Sequence, residues 1–272
     1  MLSPSSDPLL LEARTTTRRI GRTFALACKL LPRDVRDDVY RLYLVFRTLD
    51  DLVDERRPGA LAAIEAVERW CDAGVVSSRE AALLASLDAS HGLPRAALRD
   101  FCAGMRSDLH GAPILTEAEL DAYCHRVAGT VGIVMSAILG TTTPEADAHA
   151  AALGRAMQRT NILRDIDEDA AHGRVYLAQE TLDRFGGRLD PGGREALLRD
   201  QIERADALYE LGFAGIPLLR RGRYAITAAG GMYREILLQI EREGYGARPG
   251  RAVVSRPRKL LVAARARAPL AT

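Results

Sequence analysis

Alternating runs of β-branched residues are almost absent from this chain, and with them goes any extensive sheet. Aromatic side chains are scarce at 5%, although hydrophobic residues reach 47%, which is ample for a core built largely from aliphatic groups. Cysteine is limited to Cys28, Cys71, Cys102 and Cys124. None of these makes a C-x-x-C pair, and each stands in an apolar, helix-like context, so they read as buried free thiols in a reducing cytoplasm. The five histidines, His91, His110, His125, His149 and His172, include no pair at metal-ligand spacing. No G-x-G-x-x-G follows an expected strand, so the nicotinamide fingerprint is missing. No stretch of 18 uninterrupted apolar residues occurs, and acidic residues precede any apolar run at the N-terminus. The expectation is a cytoplasmic chain that is neither membrane-spanning nor secreted. The net charge of only +2 argues against a nucleic-acid partner.

No Ser/Pro-rich linker divides the 272 residues, so one large helical domain is expected, rich in Ala, Leu, Arg and Glu. Residues 1–15 read as a flexible leader, 16–262 as the domain and 263–272 as a basic tail. Within the domain, Thr15 to Leu31 predicts a helix stopped by Pro32, and Asp34 is placed as the cap of a helix reaching Glu55. Further helices are expected over 60–73, 78–90 and 95–110, the last carrying an Arg106/Asp108 pair. Thr116-Glu117-Ala118-Glu119 has capping-box character and opens a helix through Tyr123, Val127, Val131, Val134 and Ile138. The small residues Ala128, Gly129 and Gly132 on that helix predict close approach of a ligand tail or of a neighbouring helix. Gly186 to Gly193 is a clear loop, followed by helices over 194–213, 214–221 and 223–242.

Two acidic segments organise the rest. Gln158 to Asp169 contains no Gly or Pro and predicts one helix, on which Gln158, Asn161, Asp165 and Asp169 fall within roughly 60° of each other. On Tyr40 to Glu55 the aspartates Asp50 and Asp54 repeat that spacing, with Tyr43 and Arg47 on the same stripe. Leu42, Leu44, Val45, Phe46, Leu49, Leu52 and Val53 surround them, so this helix is expected to be central. Ionised carboxylates on a buried helix are costly unless paired or bound to metal. Two such helices facing each other would make an acidic pocket for divalent cations, and hard cations held by few carboxylates and completed by phosphate point to magnesium.

These motifs resemble the squalene/phytoene synthase family, the head-to-head prenyl diphosphate synthases. The matching residues are Asp50-Asp51-Leu52-Val53-Asp54 and Asp165-Ile166-Asp167-Glu168-Asp169, then Gln158, Asn161 and Arg164, and Gly173 to Leu177. Gly104 to Asp108, Tyr123 to Gly132, and the set Tyr233, Gly244-Tyr245, Arg251 and Lys259 extend the match from about Thr23 to Lys259. The resemblance implies an all-α isoprenoid synthase-type bundle around an apolar channel. It implies that Asp50, Asp54, Asp165 and Asp169 hold two or three Mg2+ ions completed by substrate diphosphate. Tyr43, Arg47, Asn161, Arg164, Tyr176 and Tyr233 then serve catalysis. Arg22, Thr23, Phe24, Val127, Val131, Gln158, Arg174, Arg251 and Lys259 serve substrate binding. Gly21 stands where the family usually has Ser, which removes one hydrogen bond to phosphate.

The implied reaction joins two farnesyl or geranylgeranyl diphosphates through a cyclopropylcarbinyl diphosphate, most simply to a phytoene-like polyene, with NADPH not expected. Squalene, dehydrosqualene and presqualene diphosphate formation stay open, as does cyclisation of one prenyl diphosphate on the same fold. A non-catalytic scaffold relative is remote, because all four aspartates are present. Beyond Glu243 stand seven basic residues and no acid. Part of that end is expected to face diphosphate and part to rest on anionic lipid as a peripheral membrane contact.

Overall fold

The computed structural model describes residues 7–19 and 22–266, with only the backbone of Arg22. Gly21, the Arg22 side chain and the end of the basic tail therefore lie outside the described residues. Among the described residues there is no strand; one antiparallel bridge joins Thr141 to Leu219. The chain is all-α. It runs through α1 (Pro8–Arg19), α2 (Arg22–Cys28), α3 (Arg33–Asp54), α4 (Ala60–Ala73), α5 (Arg79–His91) and α6 (Arg95–His110). It continues with α7 (Glu117–Cys124), α8 (Thr130–Leu139), α9 (Ala146–Arg164), α10 (Ile166–Ala171) and α11 (Gln179–Arg184). The last helices are α12 (Glu195–Ala214), α13 (Arg223–Arg242) and α14 (Arg256–Arg265).

Two large apolar clusters fill the bundle. One joins α1, α3, α4, α5, α6 and α8 around Val39, Leu49, Ile64, Trp70, Leu84 and Leu98. The other joins α7, α9, α12 and α13 around Leu120, Ala156, Leu197, Tyr209 and Leu237. α8 and α9 cross where the two meet, and glycine makes that crossing possible. A Cβ at Gly132 would stand 2.2 Å from the Ala150 carbonyl oxygen, and one at Gly154 would stand 2.2 Å from that of Ala128. The close approach expected of the small residues is thus, at these positions, the approach of a helix backbone. α7 and α8 are one helix interrupted by a π turn over His125–Gly129. The inserted residue changes the helix phase, so Tyr123 meets Asp108 on one side while Val127 and Val131 meet the cavity on another. The stretch Glu117–Leu139 is long and apolar enough to cross a membrane by length and composition. In this fold it packs against α6 and α9, and Glu117 and Asp121 are ion-paired to Arg159 of α9.

Several sequence expectations are corrected. Residues 8–15 are not leader: they belong to α1, whose Leu10 and Ala13 are buried against the core and whose Arg14 pairs with Asp37. Asp34 does not cap α3; Pro32 takes that position, and Asp34 lies in the first turn paired with Arg221. Arg106 and Asp108 do not pair, since Arg106 binds Glu68 and Asp108 accepts from Tyr123. The stretch 214–221 holds only a short 3-10 turn at Ile216–Leu218. Ala263 to Arg265, assigned to the tail, complete α14, where Ala263 is buried. The Thr116 capping box is present.

Candidate active site

A cavity of about 350 Å³ opens between the two apolar clusters. Phe24, Phe46, Phe101, Val127, Val131, Met135, Leu139, Leu153 and Met157 give it apolar walls, and Tyr43, Arg47, Asp50, Gln158 and Tyr233 give it a polar end. Phe24 stacks on Tyr43 at 4.9 Å, which joins α2 to the stripe of α3. Burial pushes the Tyr43 hydroxyl up to about 12, so it stays protonated.

On the α3 wall, Arg47 Nη1 donates to Asp50 at 2.8 Å, and its Nη2 donates to Asp51. The Arg47 Nε is buried with no acceptor. Asp50 lines the polar end of the cavity. Its desolvation and then the charge of Asp54 raise its carboxyl to about 6, against the pull of Arg47. Asp54, one turn on, accepts from Arg174 Nη1 at 2.8 Å, and Arg174 also reaches the Tyr176 hydroxyl at 3.3 Å.

The opposite wall departs from the continuous helix expected there. α9 ends at Arg164, and Asp165 takes φ −102° and ψ 11° before α10 begins. Arg164 folds back onto the Asp165 carboxylate at 2.8 Å, while Arg251 Nε approaches the same group at 2.9 Å. The spacing survives the break, because the Asp169 N–H donates to the Asp165 carbonyl at 2.8 Å. Burial, then Asp165 and Glu168, raise the Asp169 carboxyl to about 6. Asp54 adds to that rise and Arg174 opposes it, as it does for Asp50, so the two acidic turns share one electrostatic field. Asn161 donates to Gln158 at 3.3 Å, and its own Oδ1 is buried without a partner. Tyr233 lies beside Arg164 at the cavity. Lys259 of α14 donates to Thr23 at 2.9 Å, which ties the C-terminal helix to α2.

The structure also brings in residues that spacing alone did not assign. Asp108 lies near Asp54 and Asp50; burial raises its carboxyl to about 7, and the Tyr123 hydroxyl donates to it at 3.3 Å and opposes the rise. Tyr123 stacks on Tyr176 at 5.5 Å, so Asp108 connects through two aromatic rings to Arg174 and Asp54. A signal existed: Phe101, Met105 and Asp108 fall at i, i+4 and i+7, which sets an acid on the buried stripe of α6. Asp167, inside the second motif, faces away from the mouth. Arg194 and the Gly250 N–H bind it and hold its carboxyl below the usual range.

The donor set fits hard cations: it is all carboxylate, and two of its members are raised by mutual repulsion and desolvation. Among the described residues no three acidic, His or Cys groups converge into a ready-made metal cluster. Any cation here would therefore complete its shell with oxygens from outside the protein.

Comparison with known proteins agrees with this geometry. Residues 17–258 match the family described as squalene/phytoene synthase. The chain is 36% identical to the 15-cis-phytoene synthase of Synechocystis sp., over 95% of this chain and 86% of that one. It is 38% identical to the phytoene synthase of Thermus thermophilus, over 84% and 82%. Its fold superposes on a crystal structure of a dehydrosqualene synthase with ligand at a TM-score of 0.87, with 28% identity and 95% of both chains covered. The squalene synthase HpnC of Alicyclobacillus acidocaldarius gives 0.77 at 28% identity, over 88% of this chain and 95% of that one. With two acidic turns at one end of an apolar cavity and a family match along nearly its whole length, this chain belongs to the squalene/phytoene synthase family.

Proposed function

We propose that this prenyltransferase joins two prenyl diphosphates head to head, through a cyclopropylcarbinyl diphosphate, to a phytoene-like polyene. The observation that carries the reading is one apolar cavity whose polar end lies beside two acidic turns sharing a field. Identity of 35–38% to four phytoene synthases supports geranylgeranyl diphosphate as substrate. Likeness to a dehydrosqualene synthase supports a second reading, in which farnesyl diphosphate is used.

Asp50, Asp54, Asp165 and Asp169 would hold Mg2+, two or three ions, with diphosphate oxygens completing each shell. When bound, magnesium supplies charge neutralisation for the departing diphosphate. Arg47, Arg174 and Arg251 now lie on these carboxylates, and each has a planar fork that grips phosphate equally well. Thr23 and Lys259 meet on the α2 side, Gln158 lies at the cavity, and Arg22 would add a further phosphate contact. Tyr43 and Tyr176, both raised by burial, keep their protons and can donate to phosphate, with Tyr233 beside Arg164 at the cavity, while Asn161 and Arg164 orient Asp165 and its surroundings. Phe24, Val127 and Val131 line the walls that exclude water from the allylic cation. No NADPH step is proposed. We place the chain in the cytoplasm, with α14 as a peripheral membrane contact: Leu260 and Leu261 are exposed between Arg256 and Arg265, and the product is apolar.

The test is to incubate the purified protein with magnesium and either farnesyl or geranylgeranyl diphosphate, with and without NADPH. The expected product is a forty-carbon polyene from geranylgeranyl diphosphate, unchanged by reductant. Exclusive formation of cyclised monomeric products would refute condensation.

A further inference from the structure

The three aspartates of Asp165-Ile166-Asp167-Glu168-Asp169 divide between two sides. Asp165 carries Arg164 and Arg251, Asp169 feels the charges of Asp54 and Arg174 from the other wall, and Asp167 turns instead to Arg194, the residue just before α12. Both Arg194 terminal nitrogens engage the carboxylate, Nη2 at 2.9 Å, and Nη1 also donates to the Leu189 carbonyl at 3.0 Å. The Arg194 side chain is 2% exposed despite its position at the end of a glycine-rich loop. Asp167 Oδ2 accepts one further bond, at 2.6 Å, from the backbone N–H of Gly250.

Gly250 is the neighbour of Arg251, whose guanidinium lies on Asp165. The same loop packs on Arg194 from behind: a Cβ at Gly246 would stand 2.3 Å from Arg194 Nε. Arg199 holds the loop's other end, lying 3.7 Å from the Tyr245 ring centroid and donating to its hydroxyl at 2.8 Å. Gly244, Tyr245, Gly246 and Gly250 all take positive φ, so the free loop has many conformations to lose. A half-exposed arginine on such a loop is useful at the mouth only if the backbone beneath it is fixed.

We propose that Asp167 and Arg194 form a positioning pair that fixes loop 246–251 across the second acidic turn, so that Arg251 meets the substrate diphosphate preorganised. Asp167 acts through Arg251 and is not a metal ligand. The assignment rests on the diphosphate site described under Proposed function.

Asp167→Asn, Arg251→Ala and the double variant separate the possibilities. Asp167→Asn should raise KM for the prenyl diphosphate about tenfold, with kcat held within about twofold. It should also speed hydrogen exchange at the Gly250 amide, read without substrate or metal. In the Arg251→Ala background, Asp167→Asn should add nothing further to KM. Additive effects on KM, or a loss confined to kcat or to melting temperature, would overturn the proposal. So would unchanged Gly250 exchange. If Arg251→Ala itself leaves KM unchanged, the diphosphate reading of Arg251 fails, whereas the exchange result judges the clamp separately. Should Asp167→Asn not fold, Asp167→Glu keeps the charge and lengthens the reach, and the same two readouts apply.

Discussion

On α3 the pair Asp50 and Asp54 rides a helix that runs unbroken to Asp54, while across the mouth Asp165 stands at the break between α9 and α10. The backbones differ, yet the charge arrangement is the same. Asp50 is met by Arg47 of its own helix, and Asp54 by Arg174 from the connection after α10. Asp165 is met by its neighbour Arg164 and by Arg251 from the C-terminal loop. Each acidic turn therefore carries one local arginine and one that reaches in from a later segment. The local arginine comes from the same or the adjoining helix, and the remote one ties a later segment to the acidic turn. The raised carboxyls of Asp50 and Asp169 show that these arginines do not fully offset burial and mutual repulsion.

The largest effects test the equivalence of the two turns. Asp50→Asn and Asp165→Asn should each lower turnover by about a thousandfold or more without loss of the helical fold, read by steady-state kinetics and circular dichroism. A loss at one turn only would break the comparison. Next come the arginines. Arg47→Lys, Arg174→Ala and Arg251→Ala should each reduce kcat/KM by about ten- to a hundredfold, with melting temperature little changed, because the fork is lost while the core is untouched. A large fall in melting temperature with normal turnover per folded molecule would make Arg47 a structural counter-ion only.

The smallest effects lie inside one motif and have opposite signs. In metal-free protein the Asp169 carboxyl titrates near 6, above its ordinary 3.8. That group's contribution to stability is full below 3.8, declines as pH rises toward 6, and is flat above it. Asp169→Asn should therefore melt a few degrees higher than the parent at pH 8 and no higher near pH 4. Asp167 is held below 3.8, so its contribution is present above that value and is lost as pH falls through the lowered one. Asp167→Asn should melt lower at pH 8 and converge with the parent in acid. Thermal scans across pH decide both, and equal signs for the two variants would contradict the division of roles.

Helix positions are readable because apolar periodicity, Pro32 and the Thr116 capping box mark them locally. The four aspartates were readable from i, i+4 spacing. The break at Asp165 was not, since Asp165-Ile166-Asp167 holds no helix breaker and the distortion accompanies the grip of Arg164 and Arg251, one of them 86 residues away. The first half of α1 is not legible because Pro8 to Arg14 is short and mixed in polarity; its order comes from burial of Leu10 and the Arg14–Asp37 pair. Asp167 stands two residues from Asp165 and from Asp169, roughly 200° around a helix, which separates it from their stripe, but its partner Arg194 is not legible from spacing.

On the proposed function, both acidic turns serve one metal–diphosphate site. Calorimetric titration of inorganic diphosphate into the protein, with and without magnesium, tests it most directly. Binding should require magnesium and should be lost in both Asp50→Asn and Asp165→Asn. Retention of magnesium-dependent binding in either single variant would contradict the claim.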